Sequence, residues 1–276
     1  MNVLLADALV SLARRIHSDC RLSSYELAYS KFLQAAAQRG YEMTTLVNSL
    51  DRFRNGVPTK PYLAIRHDVD INCVEGNRMF FRVEQAHRAT ATYYFRLSTA
   101  MAHHTFIDQL LQAGFEVGYH YEEAADVAKE RKLKTREEVF SFRDEIQERF
   151  KYNCERFRKR YSSRMRSVCS HGDWINRRLR FINKDLLDKR VLAQCGIDLE
   201  AYDGDFKSYF GLYLSDVQLP PEKWRGENDW IDKLGEIPGS IYVLAHERQW
   251  YPAPFVKNRE NIKRLIESIF YHIPGR

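Results

Sequence analysis

The sequence predicts an α/β fold: a parallel sheet of about seven strands, curled into a barrel, with a helical N-terminal extension. Three observations predict it. Short apolar, β-branched and aromatic runs alternate with helical segments from Pro61 onward, which is the pattern of βαβ units. Six of the seven runs deliver a charged or imidazole residue at their end, as expected where parallel strands present one mouth. The length of 276 residues suits an α/β barrel as a single domain.

Before Pro61 the chain reads as helical. Ser23 and Glu26 have capping-box spacing, Tyr29, Phe32, Leu33 and Ala36 follow at helical period, and Gly40 is a natural terminator. A second helix is expected from Thr44 to Phe53, ending before the turn signal of residues 55–58. No linker composition separates residues 1–60 from the rest, so residues 1–276 are expected to be one domain with this extension packed on the barrel. The strand runs are Tyr62–His67, Ala91–Leu97, Phe115–Tyr119, Ser167–Ser170, Ile197–Ala201, Phe210–Leu214 and Ile241–Ala245. The clearest intervening helix starts at the capping box of Thr135 and Glu138. Its stripe is Val139, Phe142, Ile146, Phe150, Cys154, Phe157 and Tyr161.

Composition excludes several classes. Gly 13 and Pro 8, beside Phe 16, Tyr 16 and Trp 4, rule out a low-complexity or disordered chain. No window approaches the ~18 apolar residues of a membrane span. In the N-terminal stretch the basic pair Arg14–Arg15 follows the apolar residues, the reverse of a secretory signal, which points to a cytoplasmic protein. The five cysteines are widely spaced without C-x-x-C, so buried free thiols are expected rather than disulfides or a thiolate zinc site. The formal charge is +6, with a basic run from Arg149 to Arg166. That run keeps apolar residues at helical period and reads as the solvated face of an amphipathic helix. No nucleic-acid motif accompanies it.

The strand ends carry the chemistry. Asp68 and Asp70 point the same way if the chain is extended, and two close carboxylates require a cation or a proton between them. A divalent ion would serve, leaving one carboxylate free as a base. His120 and Asp70 form an imidazole–carboxylate pair suited to zinc or a similar ion. Of the remaining strand-end imidazoles, His171 and His246, one could complete a two-histidine, one-carboxylate site while the other donates a proton. His103 and His104 compete for the third ligand position.

Arg66 to Asp70 (RHDVD), Ala91 to Phe95, Gly114 to His120 and Val243 to His246 resemble successive motifs of the polysaccharide deacetylases, carbohydrate esterase family 4 with the NodB-homology fold. Residues 32–41 resemble the helix that precedes the first motif, and RHDVD and HYE are similar to a divergent branch. The resemblance implies a distorted (β/α) barrel that removes N-acetyl groups from an amino sugar in a polysaccharide or glycan precursor. It implies Asp68 as general base, Asp70 and His120 as metal ligands and His246 as general acid. Zinc is the expected ion, and an N-acetylated sugar or oligosaccharide the expected partner.

The chain departs from the pattern at Ala124, where the family's second histidine would stand. His171 is the preferred replacement, with Glu122 the other. The arginine and proline motif expected on the fourth strand is replaced by residues 170–173 (SHGD). Arg66, Arg96, Arg248 and Trp250 are expected substrate contacts, since guanidinium forks hold anions and indole faces stack on sugars. Ala124 also leaves room for a catalytically silent carbohydrate-binding protein, and related barrels for an amidase acting on another small amide or a cyclic imide.

Overall fold

The computed structural model describes residues 10, 12–17, 19, 20, 22, 24–56, 60–218, 234 and 239–272. Among them, strands β1 (Glu42–Thr44), β2 (Tyr62–Val69), β3 (Thr92–Phe95), β4 (Glu116–Tyr121), β5 (Ser167–Ser170), β6 (Leu199–Glu200), β7 (Phe210–Ser215) and β8 (Ser240–Ala245) form one sheet. Every pairing is parallel, in the order β6-β5-β4-β3-β2-β8-β7. These seven strands curl into a half-barrel surrounded by helices, a distorted (β/α) barrel with N-terminal helices packed on it. All seven strand runs expected from the sequence are present, Ser167–Ser170 with the expected ends and the other six with shifted ones. Strand β1, beside the first half of β2, was not expected, because three residues are too short to show alternation.

The N-terminal extension follows the expected helices more closely than their caps. Helix Glu26–Gln38 buries Tyr29, Phe32, Leu33 and Ala36, and Gly40 takes the left-handed φ of +81° just past its end. Ser23, half of the expected capping box, lies outside the described residues, as do Val57 and Pro58 of the turn signal. The second helix is Leu46–Arg54, capped by the Thr45 hydroxyl, which accepts from the Asn48 amide. At Thr135 the hydroxyl caps Glu138 as expected, but the segment forms two helices, Arg136–Ser141 and Arg143–Arg160, divided at Phe142. The basic run lies largely on the second of these, where Arg149, Lys151 and Lys159 meet Glu130, Glu145, Glu148 and Glu155. All described cysteines are free, Cys20 exposed and the other four buried.

Every residue of β2 is buried, so its two faces differ in chemistry rather than exposure, as in a strand covered on both sides. Leu63, Ile65 and Val69 join the apolar core beneath the outer helices, while Ala64 belongs to the inner cluster with Tyr94, Cys169 and Tyr242. His67, on the outer face, enters a polar network closed by Glu84. That carboxylate accepts from Tyr29 and Tyr93 at 2.7 Å each and lies 2.6 Å from His67 Nε2. The network ties the extension, β2, β3 and helix Val74–Ala86 together. At Gly118 in β4 a Cβ would collide with the Tyr94 ring and stand 2.8 Å from the Ser167 carbonyl oxygen, so glycine lets three strands close up below the site.

Candidate functional site

The inner face of β2 carries Arg66 and Asp68, and Asp70 follows one residue past the strand. Arg66 Nε and Nη2 donate to the two carboxylate oxygens of Asp68 at 2.7 and 2.6 Å. Below, the guanidinium lies 4.2 Å from the Tyr202 ring centroid and donates to the Tyr242 hydroxyl. Burial raises the Asp68 carboxyl, but Arg66, His120 and His246 outweigh it and hold the group below its usual range. Asp68 is therefore an ionised carboxylate with its charge fixed in place.

Asp70, His120 and His171 converge above it. His120 Nε2 lies 3.2 Å and His171 Nε2 3.6 Å from Asp70 Oδ1. The three ligand atoms fall within 4.8 Å of one another. His120 Nδ1 is 3.0 Å from the Cys169 carbonyl oxygen, which fixes Nδ1 as donor and leaves the Nε2 lone pair facing the site. The His171 amide donates to the Tyr121 carbonyl, and His171 Nδ1 lies 3.0 Å from Glu122 Oε2. Burial, reinforced by Arg96, pushes the His171 imidazole below its usual range, so it is neutral and can act as a ligand. Asp70 Oδ1 and His171 Nε2 are buried without a hydrogen-bond partner. Two unpartnered ligand atoms aimed at one point, with the His120 imidazole beside them, fit a divalent cation.

Two rival groupings fit less well. In Asp68, His120 and Cys169, the carboxylate is already taken by Arg66 and burial pushes the thiol well up, keeping it neutral. In Glu122, His171 and Asp173, the two carboxylates are paired with Arg96 and Lys129. Asp173 also caps helix Trp174–Leu179.

His246, past the end of β8, faces Asp68 from the other side, its Nε2 3.9 Å from Asp68 Oδ2. Its Nδ1 is 2.7 Å from Asp216 Oδ1, and its amide donates to Asp216 Oδ2 at 2.6 Å. Burial opposes the imidazolium, but Asp216, with Asp70 and Asp68, pushes it up to about 10. Asp70 and His246 keep 22% and 14% of their side-chain surface open, which places the accessible side of the cluster between them.

The structure distributes the expected substrate contacts differently. Arg66 is fully buried and spent on Asp68, so no substrate reaches it. Trp250 is also fully buried, its ring edge-on to Tyr25 and Tyr29 and its Nε1 donating to Asp216 at 3.0 Å. Arg248 donates to Asp19 and Asn261, between the N- and C-terminal helices. Arg96 alone borders the cluster, bound to Glu122 and the Asp70 carbonyl. His103 is buried against Thr99 and Asn77, and His104 is turned to the Met101 carbonyl, so neither joins the site. Ala124 packs in an apolar cluster with Val127, Val139 and Ile175.

Asp216 stands at a strand end in the sequence, but nothing there pairs it with His246. Glu247 was missed altogether: it is buried, accepts from the Ile71 amide, and is pushed up to about 8 by burial and by Asp70. Among the described residues no helix is long and apolar enough to cross a membrane. No family model and no curated protein matches the sequence. Among solved structures the chain is similar to Bacillus subtilis PdaA, a family 4 carbohydrate esterase, at 14% identity and a TM-score of 0.40, over 85% of this chain and 82% of that one.

Proposed function

We propose that the protein is a metal-dependent hydrolase that removes the N-acetyl group of an amino sugar in a polysaccharide or glycan precursor. The observation that supports it is the convergence of Asp70, His120 and His171 on one point, flanked by an ionised Asp68 and a protonated His246. Asp70, His120 and His171 would hold a divalent cation, zinc being best matched to one carboxylate and two imidazoles. Such a cation polarises an amide carbonyl and makes a nearby water more acidic.

The chain's own residues would do the rest. Asp68 Oδ2, whose remaining lone pair faces the space between His120 and His246, takes the proton of the attacking water. Arg66 keeps that carboxylate ionised and oriented. His246 donates its Nε2 proton to the amine nitrogen as the C–N bond breaks, and Asp216 stabilises the imidazolium before that transfer. The products are acetate and a free amino sugar.

The test is acetate release from N-acetylated oligosaccharides and sugar-lipid precursors by the zinc-reconstituted protein, beside Asp68→Asn and His246→Gln. Release by the wild type and its loss in both variants supports the hydrolase. A metal-loaded protein that binds sugar without releasing acetate sinks it.

A further inference from the structure

The 19-residue helix Pro254–His272 has its polarity reversed. Phe255, Ile262, Ile266, Ile269 and Phe270 are 91%, 47%, 46%, 39% and 62% exposed. At 3.6 residues per turn they fall within one arc of about 100°. The opposite face carries Lys257 and Asn261, 0% and 3% exposed, where an ordinary surface helix buries its apolar stripe. Asn261 is held there by Asp19 and Arg248. The protein thus occupies the polar face and leaves the apolar one outward.

Five large exposed apolar side chains on one helix face are of the kind that marks a partner or a lipid surface. Charge decides between them. Arg259 is exposed within the same arc and Lys263 at its edge, while Glu260 and Glu267 lie farther round the helix and are half-buried; Asp126 and Glu130, which flank Ile266 and Phe270, are paired with Lys129 and Arg149. Lys263 makes only a 3.9 Å contact with Glu267. Two copies meeting here would bring the exposed Arg259 and Lys263 of one against those of the other. An anionic lipid surface complements both features, with apolar side chains at the headgroup boundary and cations against phosphates.

We infer that helix Pro254–His272 lays the stripe from Phe255 to Phe270 into an anionic lipid surface. The helix is also tied to the site at both ends. It follows the His246–Trp250 segment, and Tyr271 in its last turn packs on Trp174, centroids 5.4 Å apart, and on the helices that leave β4 and β5 beside Glu122 and His171. The substrate class, which rests on the hydrolase reading above, is then a membrane-held glycan presented on that side.

Vesicle binding needs no turnover, so it is read separately from the hydrolase. The full chain should sediment with mixed phosphatidylglycerol and phosphatidylcholine vesicles, less at high salt, and poorly with phosphatidylcholine alone. The double variant Ile262→Asn, Ile266→Asn should bind about tenfold or more weakly with an unchanged thermal midpoint. Phe255→Trp should show blue-shifted emission on vesicles. A wild type that stays in the supernatant with both vesicle types overturns the inference, as does sedimentation that survives the double variant. A lipid-free dimer that Ile266→Asp returns to monomer would overturn it in favour of an interface between copies.

Discussion

Arg66 grips both carboxylate oxygens of Asp68 from two positions earlier on the same strand. Alternation along β2 puts the two side chains on one inner face, so the Asp68 carboxylate is oriented without help from another strand. Removing one partner of a buried pair leaves an uncompensated charge. Arg66→Met should therefore lower stability by about 3–5 kcal/mol in urea unfolding. Arg66→Lys should fall between, since an ammonium cannot form the fork. The double variant Arg66→Met, Asp68→Leu should recover most of the loss and have no activity. A stable single variant would mean that Asp68 is protonated.

The metal assignment separates three overlapping groupings by substitution. Elemental mass spectrometry after exhaustive dialysis should find one bound divalent ion, lost in Asp70→Ala, His120→Ala and His171→Ala. Cys169→Ser should retain it, because a buried neutral thiol under Arg66 is a poor ligand. Glu122→Gln should weaken affinity about 10–100-fold by loosening His171. Metal lost from Cys169→Ser but kept by His171→Ala would move the ion to the deeper grouping.

Glu84 gathers Tyr29, His67 and Tyr93 around one buried carboxylate, joining four elements beneath the site. Glu84→Ala strands three polar groups, each costing about 1–3 kcal/mol when left unpaired. Thermal unfolding should show the largest drop of any single substitution outside the metal ligands. Tyr29→Phe, which removes one donor, should cost about 1 kcal/mol.

How far the sequence reaches is set by locality. The strands were legible because burial on both faces writes continuous apolar runs, and Asp68, Asp70, His120, His171 and His246 stood out because each ends such a run. What the sequence did not show was which neighbours these residues meet. His246 and Asp216 lie 30 positions apart and touch at 2.7 Å, a contact created by the pairing of β7 with β8. Arg66 and Trp250 have the chemistry of ligand contacts, and only burial shows that they serve other side chains. Strand β1 and the division of the long helix at Phe142 were hidden because three residues carry no period and a stripe can run unbroken across a kink.

The pH profile tests the acid directly. In the proposed mechanism His246 must carry its proton to serve the leaving amine, so activity should be present below its pKa and lost as pH rises through it. Asp216, with the site carboxylates, pushes that value up to about 10, placing the alkaline limb far above that of an ordinary histidine at ~6.5. Asp216→Asn removes the largest support for the imidazolium, and the alkaline limb should fall by at least about one pH unit, with a lower plateau rate. A bound cation repels the imidazolium and moves both limbs downward together, so the comparison is made in the same metal. The acidic limb reports Asp68, which is held below its usual range by Arg66, and it should be unchanged in Asp216→Asn. A variant whose acidic limb moves while the alkaline one stays would assign the acid to a different residue.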